Sequence, residues 1–436
     1  MAHWLKKSLP IVALGLLVMC GAGIFSGQLY LNRPAMTEKI RAVFSKKFGG
    51  ELTFQRIRLN ILSGLTVQDL RLAAPDAGDS PFLTLRRADV RYSPLALLRK
   101  KIKVTRVDLQ QARLNFAHQG DRWVLPQPQA NFIKQALTLS TGHNTFVIML
   151  DDLNLHDATV SVHSSAASQL LFTASGIDLS GQLLVRDNQG VAQGALSVRE
   201  LKIGETLTLG EVRADLAYAD DELTFTKLRG QAYGGAAEGT IVIPTSREKD
   251  NPHYGVWLHF SGVDFPALIK SFNADPELIH AKVDVYCDLW GDIHHPGLLQ
   301  GKGWFESRQA RLTGFKVLDI IGNLLNRPDL RDTRFDTVSG SFKITNDQLS
   351  FYSLEIISPD LKISAAGNIK YDGTIDFDVL LTVNPALTAQ LPKTVAEQFS
   401  TQPDGNQSIA FKTSGFPDSP ICNLADKLYG KPPEAP

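Results

Sequence analysis

The sequence predicts a mostly β protein behind one N-terminal transmembrane helix, and three observations predict it. Short runs with an apolar residue at every second position follow one another from Glu51 to Phe411. Acidic and amide turn residues punctuate those runs, and 34 Gly with 22 Pro supply many breaks. A single uncharged stretch, from about Leu9 to Leu31, has membrane length. Side chains of a strand alternate between its faces, so such a sheet has one apolar and one polar face. With many strands and few helices to cover them, the apolar face must close on itself or hold something apolar.

The N-terminal stretch presents Leu9, Ile11, Leu14, Leu17, Val18, Ile24, Phe25 and Leu29. About 20 residues rising 1.5 Å each span a hydrocarbon core. A cleaved signal peptide needs a shorter apolar core and a small-residue cut site, for which 22–26 offers poor candidates. A lipoprotein signal needs a small residue before Cys20, where Met19 stands. An uncleaved anchor fits best. Lys6 and Lys7 precede it, whereas Arg33, Lys39, Arg41, Lys46 and Lys47 follow, so a literal positive-inside count keeps the body cytoplasmic.

Pro34 to Phe48 then shows the spacing of a short amphipathic helix at a membrane surface. Alternation begins with Leu52, Phe54, Ile57 and Leu59, and resumes with Leu114 and Phe116. It continues through Phe146, Ile148 and Leu150, then Val256, Leu258 and Phe260, then Val283 and Val285. The last runs hold Phe342 and Ile344, then Ile375, Phe377, Val379 and Leu381. Short helices are expected over Pro94–Leu98 and Asn131–Leu139, and longer amphipathic ones over Thr313–Asn326 and Pro385–Phe399. The latter two are read as covers packed on the sheet. Asp151-Asp152, Asp187-Asn188, Asp220-Asp221, Asn346-Asp347 and Asp372-Gly373 are read as hairpin turns rather than catalytic acids. Thr245 to Pro252 is a candidate boundary loop. Gly291 to Pro296 and Gly415 to Pro420 each place Pro five residues after Gly, which suggests one strand exit used twice.

Function classes narrow accordingly. Lys+Arg and Asp+Glu balance at 45 each, which gives no field for nucleic acid. Cys287 and Cys422 form no ligand cluster and are read as free thiols, with pairing left open. Gly234 to Gly239 precedes a strand rather than a helix, so it reads as a tight hairpin and not a phosphate loop. Asp292, His294 and His295 lack a third His or Cys at ligand spacing, so no metal site and no cofactor are expected. The chain contains no nucleophile elbow and no His-Glu-x-x-His, and an enzyme is not expected.

Several stretches resemble the AsmA-like family of membrane-anchored envelope proteins, whose larger relatives include TamB. Phe48-Gly49-Gly50-Glu51-Leu52-Thr53-Phe54, Ser63-Gly64-Leu65-Thr66-Val67-Gln68-Asp69-Leu70, Pro81–Leu85 and Val107–Leu114 resemble its opening module. That module is itself similar to the start of bridge-like lipid transporters. Asp121-Arg122-Trp123-Val124-Leu125 resembles its Gly-x-Trp-x-Leu continuation, with Asp for Gly. Tyr233-Gly234-Gly235, Val338–Phe342 and Leu361–Ile369 resemble later motifs. The resemblance implies an elongated half-open antiparallel β-groove with a few short capping helices, held in the inner membrane with its N-terminus cytoplasmic and its bulk periplasmic, against the charge count.

The implied organisation is an anchor over 1–33, an N-terminal module over 34–130, a middle groove over 131–250, a C-terminal β region over 251–420 and a Pro-rich tail over 421–436. The implied function is non-enzymatic lipid transfer between inner and outer membrane, with phospholipid as the partner and the alternating residues above lining the groove. The alternative is an anchored scaffold or outer-membrane assembly factor acting through protein contacts, by strand addition for instance. The alternation itself does not separate an open groove from a closed sandwich.

Overall fold

The structure, a computed structural model, describes residues 38, 42, 51–60, 64–73, 81–93, 102–119, 122–124, 148–164, 170–186, 189–204, 207–244, 253–271, 279–292, 299–313, 316–324, 332–417 and 419–429. The apolar anchor, the short helices expected over 94–98 and 131–139, the 245–252 loop, and Phe146, His294 and His295 lie outside these. No helix among the described residues is long and apolar enough to cross a membrane. Glu38 and Ala42, from the expected 34–48 helix, are helical.

The protein is mostly β, and its strands belong to one large, open, mixed sheet. Two compact units share the chain. The first holds Met1–Gln231, Gly239–Tyr254 and Asp292–His295; the second holds Ala232–Glu238, Gly255–Gly291 and Pro296–Pro436.

The first unit opens with β1 (Glu51–Thr53), β2 (Arg56–Asn60), β3 (Gly64–Ala73), β4 (Leu83–Tyr92), β5 (Ile102–Gln119) and β6 (Arg122–Val124). It continues with β7 (Ile148–Ser164), β8 (Leu170–Arg186), β9 (Gln189–Ile203), β10 (Leu207–Ala219) and β11 (Glu222–Ala232). β1 and β2 both pair with β3, and the ladder proceeds antiparallel through β4 to β5. There the all-antiparallel expectation is corrected: β7 runs parallel to β5, from Ile102 beside Ile148 to His118 beside Ser164. Parallel neighbours need a long crossover, and the chain between Gln119 and Ile148 supplies it. Antiparallel pairing then resumes from β7 to β11.

Register fixes the faces. Leu65 faces Val90, Val67 faces Ala88, Leu70 faces Leu85 and Leu72 faces Leu83, and all eight are buried. Phe82 and Phe116 meet edge-on with ring centres 5.4 Å apart. The other face is charged, with Arg87–Asp89 and Arg106–Asp108 each at 2.6 Å. The hydrogen bond from Arg106 holds the Asp108 carboxyl below the usual carboxylate range.

Asp151-Asp152 is not a turn but lies inside β7. Lys103 on the parallel neighbour reaches Asp151 at 2.9 Å, and Arg106 reaches Asp152 at 3.3 Å, so the acids are balanced without leaving the ladder. A register shift between Leu150 and Leu153 absorbs the irregularity. Asp220 and Asp221 do form a tight turn, both left-handed at φ 49° and 61°, as the primed hairpin turns require. Asp187-Asn188 lies outside the described residues, next to the closing pair Arg186 and Gln189.

A row of left-handed residues crosses this unit: Asp69 on β3, Gln111 on β5, Asp157 on β7, Gly176 on β8, Glu211 on β10 and Lys227 on β11. Register sets Arg86 of β4 beside Gln111, and Arg199 of β9 beside both Gly176 and Glu211. Arg86 Nη1 donates to Gln111 Oε1 at 2.9 Å, Gln111 Nε2 donates to Asp157 Oδ2 at 3.3 Å, and Arg199 Nη2 lies 3.6 Å from Asp157 Oδ1. Register shifts coincide with the row at Asp157, Gly176, Glu211 and Lys227. Bulges of this kind bend a strand and tighten its twist. At Gly176 a side chain is excluded, because a Cβ would lie 2.7 Å from that of Arg199.

β12 (Gly235–Pro244) and β13 (His253–Asp264) carry residues of both units. The second unit adds α1 (Phe265–Ser271), β14 (Ile279–Asp292), β15 (Leu299–Thr313), α2 (Lys316–Leu324), β16 (Asp332–Ile344), β17 (Gln348–Ile357), β18 (Leu361–Lys370) and β19 (Ile375–Val383). It ends with α3 (Pro385–Thr388), α4 (Lys393–Ala396), β20 (Ser400–Thr401), β21 (Gln407–Phe416), β22 (Ser419–Cys422) and α5 (Leu424–Tyr429). β14 through β19, then β21 and β22, pair antiparallel in that order, and β20 joins β21. Asn346-Asp347 and Asp372-Gly373 lie in turns as expected, and Tyr233-Gly234 turns between β11 and β12.

Two expected helices differ in extent, and the expected tail carries structure. Among the described residues the 313–326 stripe is helical over α2, and Thr313 belongs to β15. The stretch from Pro385 to Phe399 is two short helices, not one, because Pro392 has no N–H to continue α3. Its apolar stripe is nevertheless buried as a set: Leu387, Leu391, Val395 and Phe399 are all 8% exposed or less. The expected tail from 421 onward begins instead with the end of β22 and with α5, whose Leu424 and Leu428 enter the core. Pro420 is likewise no strand exit. It pairs with Gly415 on an outer strand, where a missing N–H is tolerated.

Candidate functional site

The site is built on the apolar face of the second unit, which combines two different surfaces. Toward α2, α3 and α4 the strands meet a packed core. Leu312, Phe335, Leu361, Ile363, Leu381 and Val383 join Leu318, Ile321, Leu387, Val395, Phe399 and Leu424 there. Ile321, Leu381, Val395 and Leu424 are fully enclosed. Asn384 caps α3 by accepting from the Leu387 amide at 2.7 Å, which fixes the helix on the strand ends.

Toward the hairpin turns at the opposite strand ends, the same face is only half-buried. Val256, Leu258, Phe260, Val285, Phe305, Phe342, Ile344, Phe351 and Ile375 all retain solvent contact. Three phenylalanines lie flat over glycines of the neighbouring strand. Phe342 faces Gly303, Phe305 faces Gly340 and Phe377 faces Gly367. A Cβ on those glycines would sit 2.5, 2.7 and 2.8 Å from the rings. Phe351 joins them, 6.4 Å from both Phe305 and Phe342 and 6.0 Å from Phe377 between ring centres. The result is an aromatic floor in which Phe351 stands edge-on to Phe305, at 89°, and tilted by 56° to Phe342.

Two heteroatoms are set in this wall. Cys287, opposite Gly303, has its thiol pushed up to about 11 by burial, so it stays protonated and inert. Ser307 is buried opposite Val283, and its hydroxyl has no hydrogen-bond partner. Cys287 and Cys422 are free.

The reverse face carries ion pairs, with Lys302–Asp288 at 3.6 Å, Lys362–Glu355 at 2.6 Å and Lys412–Asp378 at 3.1 Å, and exposed aromatics, among them Trp257, Tyr352 and the stacked Tyr286 and Trp304. A shallow hollow of about 450 Å³ lies over Tyr352, Ala366, Leu380 and Ala410 on that face. No group of three or more His, Cys, Asp or Glu side chains that could hold a metal occurs among the described residues.

The expected lining residues therefore fall into three sets. Ile57, Leu114, Val256, Leu258, Phe260, Val285, Phe342, Ile344 and Ile375 are half-buried on the sheet. Leu52, Phe54, Phe116, Leu150, Val283, Phe377, Val379 and Leu381 are buried. Leu59 lies on β2 and Ile148 begins β7. Phe305, Phe351 and the glycines beneath the rings are further members that alternation alone does not single out. The signal that finds them is register: a Gly is informative only once the ring opposite it is known.

Comparison of the chain with protein-family models, with curated proteins and with solved structures gave no match.

Proposed function

We propose that this chain is a non-enzymatic lipid-binding or lipid-transfer protein of the bacterial envelope, anchored by its N-terminal apolar segment in the inner membrane with its bulk periplasmic. The observation that carries the proposal is the half-buried, nearly uncharged apolar face over β13–β17, whose reverse face carries the ion pairs together with exposed aromatics. A half-open groove is the finer form of the open sheet described above. Exposing one 16-carbon tail, roughly 15 methylenes at about 0.8 kcal/mol each, costs about 12 kcal/mol. A continuous apolar wall removes most of that barrier without chemistry. The AsmA-like resemblance points the same way.

Mass spectrometry of lipid extracted from the detergent-purified full chain tests this. Phospholipid is expected with the wild type and is expected to be lost from a folded Leu258→Glu, Val285→Glu variant. Lipid-free wild type, or equal lipid in the variant, overturns the proposal.

One observation favours a scaffold reading instead. Among the described residues β22 pairs only with β21, and Ile421 and Phe416 are 72% and 49% exposed. Strand addition at that edge would use both features.

A further inference from the structure

The apolar face of the second unit changes character along its strands. Near the hairpin turns, Phe305, Phe342 and Phe351 form a floor with solvent contact. Near the helices, Phe335 is 1% exposed, Phe411 2% and Phe399 8%, and residues of α2–α5 share one buried cluster with the sheet around the fully enclosed Ile321, Leu381 and Val395. A packed interior of this density admits no further methylene without forcing side chains off their rotamers. The helices are also tied down at their connections. Asn384 bonds α3 through its side chain and reaches Asp360 at 3.2 Å, Thr388 donates to the Asn384 carbonyl at 3.0 Å, and the Asn423 side chain accepts from the Lys412 amide at 2.8 Å ahead of α5.

We propose that the second unit is a blind end for acyl chains: tails lie on the aromatic floor of β14–β17 and stop where the helix-packed core begins. This rests on the lipid reading above and adds where the tails terminate. The four strands, three spacings of about 4.8 Å, give a floor about 14 Å wide. That leaves room for the tails of one phospholipid side by side, each running along the strands toward the helices. The glycines let the Phe305 and Phe342 rings lie against the neighbouring strand while Phe351 stands edge-on to Phe305, so a tail meets both ring faces and a ring edge. The helices act as a fixed stopper, and lipid leaves this unit sideways from the floor rather than through the helical end.

A phenylalanine-only crosslinking scan of the full chain tests this, with a photoreactive benzoyl-phenylalanine placed at one position at a time. Lipid adducts are expected at Phe305, Phe342 and Phe351. At Phe335, Phe399 and Phe411 at least tenfold fewer are expected, counting only variants whose unfolding matches the wild type. Amide exchange on the unmodified protein supplies a second measurement that needs no variant. On adding phosphatidylglycerol and phosphatidylethanolamine in mixed micelles, β15–β17 are expected to slow and α3 and α4 to stay unchanged. Strong adducts on both sets, or faster exchange in α3 and α4 with lipid, overturn the blind end and leave the lipid reading standing. Adducts at none of the six positions, with unchanged exchange throughout, overturn the lipid reading itself.

Discussion

Leu381 and Leu258 come from equally regular alternating strands, yet one is wholly enclosed and the other keeps its contact with water. The difference lies in what the chain brings afterwards. β19 is followed directly by α3 and α4, whose apolar stripe lands back on the strand that precedes it. β13 is followed by α1, which contributes no buried residue. Alternation decides which way a side chain points, whereas the cover is decided by the next amphipathic segment. A surface that can receive a guest is one for which no such segment was supplied.

Substitutions separate the two regions by size of effect. The largest is expected from Leu381→Ala, which leaves a cavity in a closed core and should lower unfolding free energy by about 3 kcal/mol in a denaturant titration. Next comes thiol chemistry at Cys287, in a chain carrying Cys20→Ser and Cys422→Ser. Raising a thiol from 9.0 to about 11 leaves roughly 100-fold less thiolate, so alkylation by iodoacetamide at pH 8 should be slower than for a free cysteine by about that factor. Alkylation at the free-cysteine rate would show that this wall is wet.

Gly340→Ala should lower stability by about 2 kcal/mol, since the new methyl meets the Phe305 ring at 2.7 Å and must lift it from the floor. Leu258→Glu should change stability by less than about 1 kcal/mol, because the site is solvent-accessible, while reducing bound lipid. A loss at Leu258 as large as that at Leu381 would erase the contrast between the regions. The smallest effect, and opposite in sign, is Ser307→Ala. Removing a buried hydroxyl without a partner should leave stability unchanged or raise it by up to about 1 kcal/mol in the same titration.

Much of this architecture was legible from residue order. Nearly every alternating run is a strand, the buried stripe of 385–399 was visible in its spacing, and Asp220-Asp221 turns where two adjacent acids separate alternating runs. Four features were not. Asp151-Asp152 looks like a turn until Lys103 and Arg106 are known to lie on the neighbouring strand, and that neighbour is 46 to 48 residues earlier. The parallel pairing of β5 with β7 depends on a crossover whose length is visible but whose direction is not. The Phe-over-Gly floor requires partner registers, which local pattern does not encode. Leu424 and Leu428 were hidden by the prolines that follow them, because composition averaged over a terminus masks one short helix.

The left-handed row in the first unit has a consequence for how such a protein can change length. Six strands there carry a kink of their own, and Arg86 of β4, Gln111, Asp157 and Arg199 of β9 link part of the row side to side. A hairpin inserted or deleted between two neighbours would need to supply only one matching kink and one polar link. Adding a whole hairpin would thus leave most of the strands already present unchanged.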